Sequence, residues 1–124
     1  MAANKIIRFG PIAMSATLTT NILNPPTLTG GVNIGTVNTN TYYLIQHIHI
    51  VNKTGSAASF SLWIGASGAN AAGTEFNGIA KSVPANDYID WYGNLRLDVA
   101  DFLVGGASAG ATLTFQGEGQ IGLV

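Results

Sequence analysis

Thr41-Tyr42-Tyr43-Leu44-Ile45-Gln46-His47-Ile48-His49-Ile50-Val51-Asn52 is the stretch whose reading decides the fold. Its first half is apolar on both faces. Its second half alternates, with Ile48 and Ile50 opposed to His47 and His49. A period of two is the spacing at which a β-strand presents one face to a core and the other outward. The same alternation recurs downstream. Phe60, Leu62 and Ile64 alternate with Ser59, Ser61 and Trp63; Leu95, Leu97 and Val99 with Asn94, Arg96 and Asp98; Leu113 and Phe115 with Thr112, Thr114 and Gln116. Leu62, Ile64, Leu97, Leu113 and Phe115 are therefore expected in the core.

Turn chemistry separates these runs. Asn52-Lys53-Thr54-Gly55-Ser56 reads as a hairpin loop leading into Phe60–Ile64, and residues 65–73 as a Gly/Ala/Ser/Asn loop. Val83-Pro84-Ala85-Asn86-Asp87 reads as a turn before a strand over Tyr88–Tyr92. Gly105-Gly106-Ala107-Ser108-Ala109-Gly110 reads as a lead into the last strand. Only Val99–Val104 offers a helix-like turn or two. Seven to nine short strands with frequent turns predict one all-β domain, a β-sandwich of the jelly-roll kind. Residues 1–40 are Thr/Asn-rich, broken by Pro25-Pro26 and Gly30-Gly31, and read as an extended arm or as edge strands. Residues 41–124 form the sandwich.

The composition restricts function. The 124 residues contain no cysteine, which excludes disulfides, zinc–thiolate sites and thiol chemistry. Charged residues are 9% of the chain, against about 25% in ordinary soluble domains. The net charge of −1 gives no electrostatic footprint for nucleic acid or an anionic membrane. No signal peptide is evident, and no apolar run approaches the ~20 residues of a membrane span. So few charges protect a free monomer poorly against self-association, so much of the surface is expected to be covered by partners. Asn52-Lys53-Thr54 matches the N-glycosylation pattern, but without a secretory signal it reads as chance.

No catalytic constellation is legible. The acids Glu75, Asp87, Asp90, Asp98, Asp101 and Glu118 form no pair by spacing, and Asp90 and Asp98 take outward strand positions. Gly65-Ala66-Ser67-Gly68-Ala69 falls one residue short of a nucleophile elbow. The Gly105–Gly110 string lacks the Lys-Ser/Thr of a phosphate loop. The chain is expected to be no enzyme and to use no cofactor. His47 and His49 point the same way on a strand, but two imidazoles need one or two further ligands. They are expected to line an outer sheet face or a subunit contact rather than to hold a metal.

The aromatics carry more. Trp63 lies opposite Phe60, Leu62 and Ile64, in the company of Ser59 and Ser61, as an interface anchor would. Tyr42-Tyr43 and Trp91-Tyr92 are consecutive pairs, so one of each must leave the core. Outward aromatics either anchor a protein interface or stack on sugars, and a covering N-terminal arm is the third reading. The candidate contact residues are Trp63, Tyr42, Tyr43, His47, His49, Trp91 and Tyr92.

Over residues 41–124 the sequence resembles small virion proteins of tailed bacteriophages. The carrying segments are Gln46–Ala57, Ser82–Tyr88 and the run from Leu95-Arg96-Leu97 through Phe102–Ala109. These form a grammar of strands and turns, with no site to carry over. The resemblance implies location in the virion and attachment as multiple copies. It implies a head decoration or head–tail neck (collar) component, or alternatively a minor tail protein. Partners would be copies of itself and major capsid, neck or tail proteins. A carbohydrate-binding module contacting surface glycans is the reading from a different class.

Overall fold

A computed structural model describes residues 5–24, 31–32, 41–98 and 100–123. Among them are nine β-strands and no helix. They are β1 (Lys5–Ala13), β2 (Asn21–Leu23), β3 (Gly31–Val32), β4 (Thr41–Asn52), β5 (Ala58–Gly65), β6 (Glu75–Val83), β7 (Tyr88–Leu97), β8 (Phe102–Ala107) and β9 (Leu113–Leu123). Two antiparallel sheets result, ordered β3-β1-β9-β4-β7 and β2-β8-β5-β6. Apart from the two-residue β3, the pairs nest: β1 with β9, β2 with β8, β4 with β7, β5 with β6. The chain is thus one long hairpin rolled across two sheets, which is the jelly roll.

The inward faces meet in one core. Phe9, Leu23, Tyr43, Ile45, Ile50, Phe60, Leu62, Leu97, Leu103, Leu113 and Phe115 are all buried in it. Ile64 packs against it, partly buried, so all five residues assigned to the core by alternation face it. Tyr43 meets Phe9 edge-on at 4.9 Å, and burial raises its phenol above the ordinary value.

The mixed character of the Thr41–Asn52 stretch has a structural cause. Tyr43 and Ile45 face the core, and so do Ile48 and Ile50. The step from Ile45 to Ile48 is three residues rather than two, and the pairing shifts register at that point. Gln46 is the extra residue of a β-bulge, opposite the uninterrupted Glu118-Gly119 of β9. Gly119 sits where the bulged backbone comes close: a Cβ there would run into the Leu44 carbonyl and the Ile45 Cα. On the other flank Gly93 of β7 leaves room for the Trp91 ring, which a Cβ at Gly93 would strike.

Several expectations are corrected. Residues Phe102–Ala107 form β8, so Val99–Val104 is no helix; Val99 itself lies outside the described residues. Gly105 and Gly106 belong to that strand, because backbone passes over both: a Cβ on Gly105 would meet Ser61, and one on Gly106 the carbonyls of Ser15 and Thr17. Asn52–Ser56 is not a hairpin loop, since β4 and β5 belong to different sheets; it is an arch between layers. β1 lies between β3 and β9, inside the first sheet. Pro25-Pro26, Gly30 and most of the remaining arm residues lie outside the described residues.

Trp63 is the largest departure. It is 5% exposed, so it offers no free anchor, and it lies outside the inter-sheet core. Its cross-strand partners are Val104 and Glu75. Ser61 and Val104 on the same face are buried as well. Part of the cover is the segment after β1, which is bonded along β8 by Ala107 N–H to the Ser15 carbonyl and Gly105 N–H to the Thr20 carbonyl. The serines beside Trp63 are compatible with burial because Ser61 Oγ accepts a hydrogen bond from the Ala80 N–H at 2.8 Å.

Asn52 joins the arches at one end of the sandwich. Its buried amide donates to the carbonyls of Ser56 and Val83 at 2.8 and 3.1 Å. Its side-chain oxygen accepts from the Thr54 N–H and Oγ1 at 2.9 and 2.7 Å. Every polar valence of the side chain is used, which gives the Asn52-Lys53-Thr54 pattern a structural reason. Asn52→Ala takes a partner from the buried Val83 carbonyl and the half-buried Thr54 N–H, while the Ser56 carbonyl and Thr54 Oγ1 keep their mutual bond at 2.9 Å, so it should cost about 2–3 kcal/mol, a fall in Tm of roughly 10 °C by thermal denaturation. Trp63→Ser should cost about 3–5 kcal/mol in the isolated monomer. A variant melting with wild type would place the indole outside the folded interior.

Candidate functional site

The outer face of the first sheet gathers the titratable side chains that the strand register brings together. Downstream of the bulge, His47 and His49 stand on the side of β4 away from Ile48 and Ile50. On β7, Ile89 and Trp91 face inward, so Tyr88, Asp90 and Tyr92 face out. The register sets His49 opposite Asp90 and His47 opposite Tyr92. On β9 it sets His47 opposite Glu118.

Asp90 is the centre of the cluster. Its Oδ1 lies 2.7 Å from His47 Nε2 and 2.7 Å from His49 Nδ1. The other ring nitrogen of His47, Nδ1, lies 3.4 Å from Glu118 Oε1. The hydrogen bonds from His47 and then His49 hold the Asp90 carboxyl below its ordinary value, against a smaller opposing effect of burial. The imidazoles are walled by tyrosines. Tyr92 stacks on His47 with ring centroids 4.6 Å apart and planes 6° from parallel. Tyr88 lies 5.0 Å from His49 at 42°.

The expected contact residues divide by face. Tyr43 and Trp63 are buried. Trp91 packs against the core and meets Phe76 of the opposite sheet edge-on at 5.0 Å. Tyr42 lies half-buried under the Arg96 guanidinium, 4.2 Å from its ring centroid. His47 and His49 are partly exposed, and Tyr92 is 72% exposed. Each consecutive aromatic pair therefore sends one ring in and one out. The burial of Tyr43 and Trp63 corrects their expected role as free anchors, and Trp91, partly buried, is turned toward the core rather than outward.

Sequence reasoning missed Asp90, Glu118, Tyr88 and Ile79. Tyr88, Asp90 and Tyr92 share period two, a signal that was present. That Asp90 falls between the two histidines depends on cross-strand register, which no local pattern specifies. Ile79 is 60% and Tyr88 56% exposed. Ile79 lies on β6, the edge strand of the second sheet, and Tyr88 on β7, the edge strand of the first, and residues 84–87 link the two strands. Beside them an open cavity of about 340 Å³ is lined by Lys81, Ile89, Asp90 and Trp91.

No protein-family model matches the chain. No curated protein matches it. Among solved structures, it is similar to the coat protein of tobacco streak virus, solved as a dimer, with 13% identity over 95% of this chain and 84% of that one and a TM-score of 0.46. A second crystal form of that coat protein gives 15% identity over the same shares, with a TM-score of 0.45. The globular domain of zebrafish complement 1qA protein gives 11% identity over 99% of this chain and 98% of that one, with a TM-score of 0.35. The jelly-roll assignment stands on the strand order, independently of these likenesses.

Proposed function

We propose that this chain is a non-enzymatic structural component of a virus particle that binds copies of itself and neighbouring virion proteins. The observation that carries the reading is the open side of the sandwich. There both sheets end, at β6 and β7, and Ile79, Tyr88 and Tyr92 stand exposed in a chain with only 9% charged residues. Sheet edges carry unpaired backbone groups that invite another chain, and large apolar side chains beside them favour contact. The resemblance of residues 41–124 to small virion proteins of tailed bacteriophages points the same way. Within the particle we favour head decoration or the head–tail neck, and place a minor tail position second.

Carbohydrate binding is the second reading. It has its own support: Tyr88 and Tyr92 expose their rings beside Asp90 and the open cavity, an arrangement suited to stacking on a sugar and bonding its hydroxyls. Binding on a glycan array that vanishes with Tyr92→Ser would select it.

The structural reading is tested on the purified chain and on particles. Light scattering after size exclusion should show an oligomer. Tyr92→Ser combined with Ile79→Ser should weaken it by at least roughly thirtyfold, as loss of an interface anchor does, while the monomer keeps its Tm. Electron microscopy of particles should find the chain at repeated shell positions or as one ring at a vertex. A monodisperse monomer at high concentration, absent from purified particles, would overturn the reading.

A further inference from the structure

We propose that His47, His49 and Asp90 form a binding site for one divalent transition-metal ion of the zinc class, on the outer face of the first sheet. Two imidazoles alone are too few ligands. The register of β4 and β7 supplies the third, and the ligand atoms of all three residues lie within 4.8 Å of one another. Both imidazoles present a nitrogen to a single carboxylate oxygen, Nε2 from His47 and Nδ1 from His49. Two ring nitrogens aimed at one point are the arrangement an ion requires.

A second, independent contact supports the site. A metal-binding histidine typically donates its other N–H to a carboxylate, which fixes the ring and its tautomer. His47 has that partner: its Nδ1 faces Glu118 Oε1 from the neighbouring strand β9, on the side away from Asp90. Tyr92 stacked on His47 and Tyr88 against His49 restrict both rings further. All three ligands project from paired strands, so little ordering is left for the ion to impose.

The donor set selects the ion. Two nitrogens and one carboxylate oxygen suit zinc, nickel, cobalt or copper, whereas calcium and magnesium take mostly oxygen. With metal–nitrogen bonds of about 2.0–2.1 Å, tetrahedral ligands stand about 3.3 Å apart. The present 2.7 Å separations open to that distance by a small rotation of the Asp90 carboxylate, and two N–H···O bonds give way to three metal bonds as the proton on each binding nitrogen moves to the other ring nitrogen or is released to solvent. The ligands are partly exposed, so water or a group from another molecule can complete the coordination.

The test uses the full chain free of any affinity tag. Calorimetric titration with Zn²⁺ should show one ion per chain, and Co²⁺ should give visible bands of a four- or five-coordinate site. Asp90→Asn and His49→Gln should each weaken Zn²⁺ binding at least ~100-fold. Glu118→Gln, which leaves every ligand in place, should weaken it about 10-fold with the Co²⁺ bands retained. Imidazole ¹⁵N signals of the wild-type chain give a readout that needs no variant. On Zn²⁺ addition Nε2 of His47 and Nδ1 of His49 should take the shifts of metal-bound nitrogens. The proposal is overturned if Zn²⁺ at about 1 mM is not bound. It is equally overturned if a folded ligand variant binds as tightly as wild type, or if the imidazole signals stay unmoved.

Discussion

The bulge at Gln46 is the constraint on which the rest of the first sheet depends. β4 is hydrogen-bonded on both sides, to β9 and to β7. Its inward residues must therefore match two neighbours at once. A strict period of two starting at Tyr43 and Ile45 would turn His47 and His49 toward the core. Placing two imidazoles there without partners would be prohibitive beside Phe115 and Leu97. One extra residue resets the phase, so Ile48 and Ile50 continue the core and the histidines stand outside. The glycines opposite and beside it, Gly119 and Gly93, are the space this reset requires.

The jelly roll follows from arches of the kind Asn52 holds together. A short link such as Asn52–Ser56 ordinarily returns a strand beside its predecessor. Here the Asn52 side chain occupies the backbone groups of the loop and reaches across to the Val83 carbonyl of β6. The Asn52 N–H donates to the Asp87 carbonyl, and the Asn86 N–H to the Thr54 carbonyl. Two interlayer crossings, β4 to β5 and β6 to β7, are thereby fastened to each other. With both crossings fixed, β5 and β6 have only the second sheet to join.

What local sequence discloses and what it hides divide along a physical line. The limits of β4, the alternating sets of β5 and of Leu113 and Phe115 in β9, and Leu95 and Leu97 of β7 were legible because each depends on alternation within one strand. Trp63 was not, because alternation says which face a residue takes but not whether that face is covered. The second sheet is a buried layer on both sides at β5 and β8, and its outer cover comes from far along the chain. Gly105-Gly106 hides its role similarly: Gly105 admits the Ser61 carbonyl of the paired strand β5 and Gly106 the covering segment at Ser15 and Thr17, rather than marking a turn. The Asn52–Ser56 arch reads as a hairpin in the sequence because turn residues do not specify which sheet the next strand joins. Asp90 between His47 and His49 is a matter of register between strands about forty residues apart.

These two sheets leave the molecule asymmetric. The central strands of the second sheet are buried on both faces, whereas the first sheet buries one face and leaves the other open. The outer face of the first sheet therefore carries side chains that are satisfied without being sealed: His47, His49, Asp90, Glu118 and the two tyrosines that flank them. It ends at β7, as the second sheet ends at β6, where Ile79 is exposed. The polar cluster and the apolar edge lie side by side on β7, so a partner seated against Tyr88 and Tyr92 would also cover Asp90. The strand that closes the first sheet thus presents Tyr88, Asp90 and Tyr92 together on its outer side.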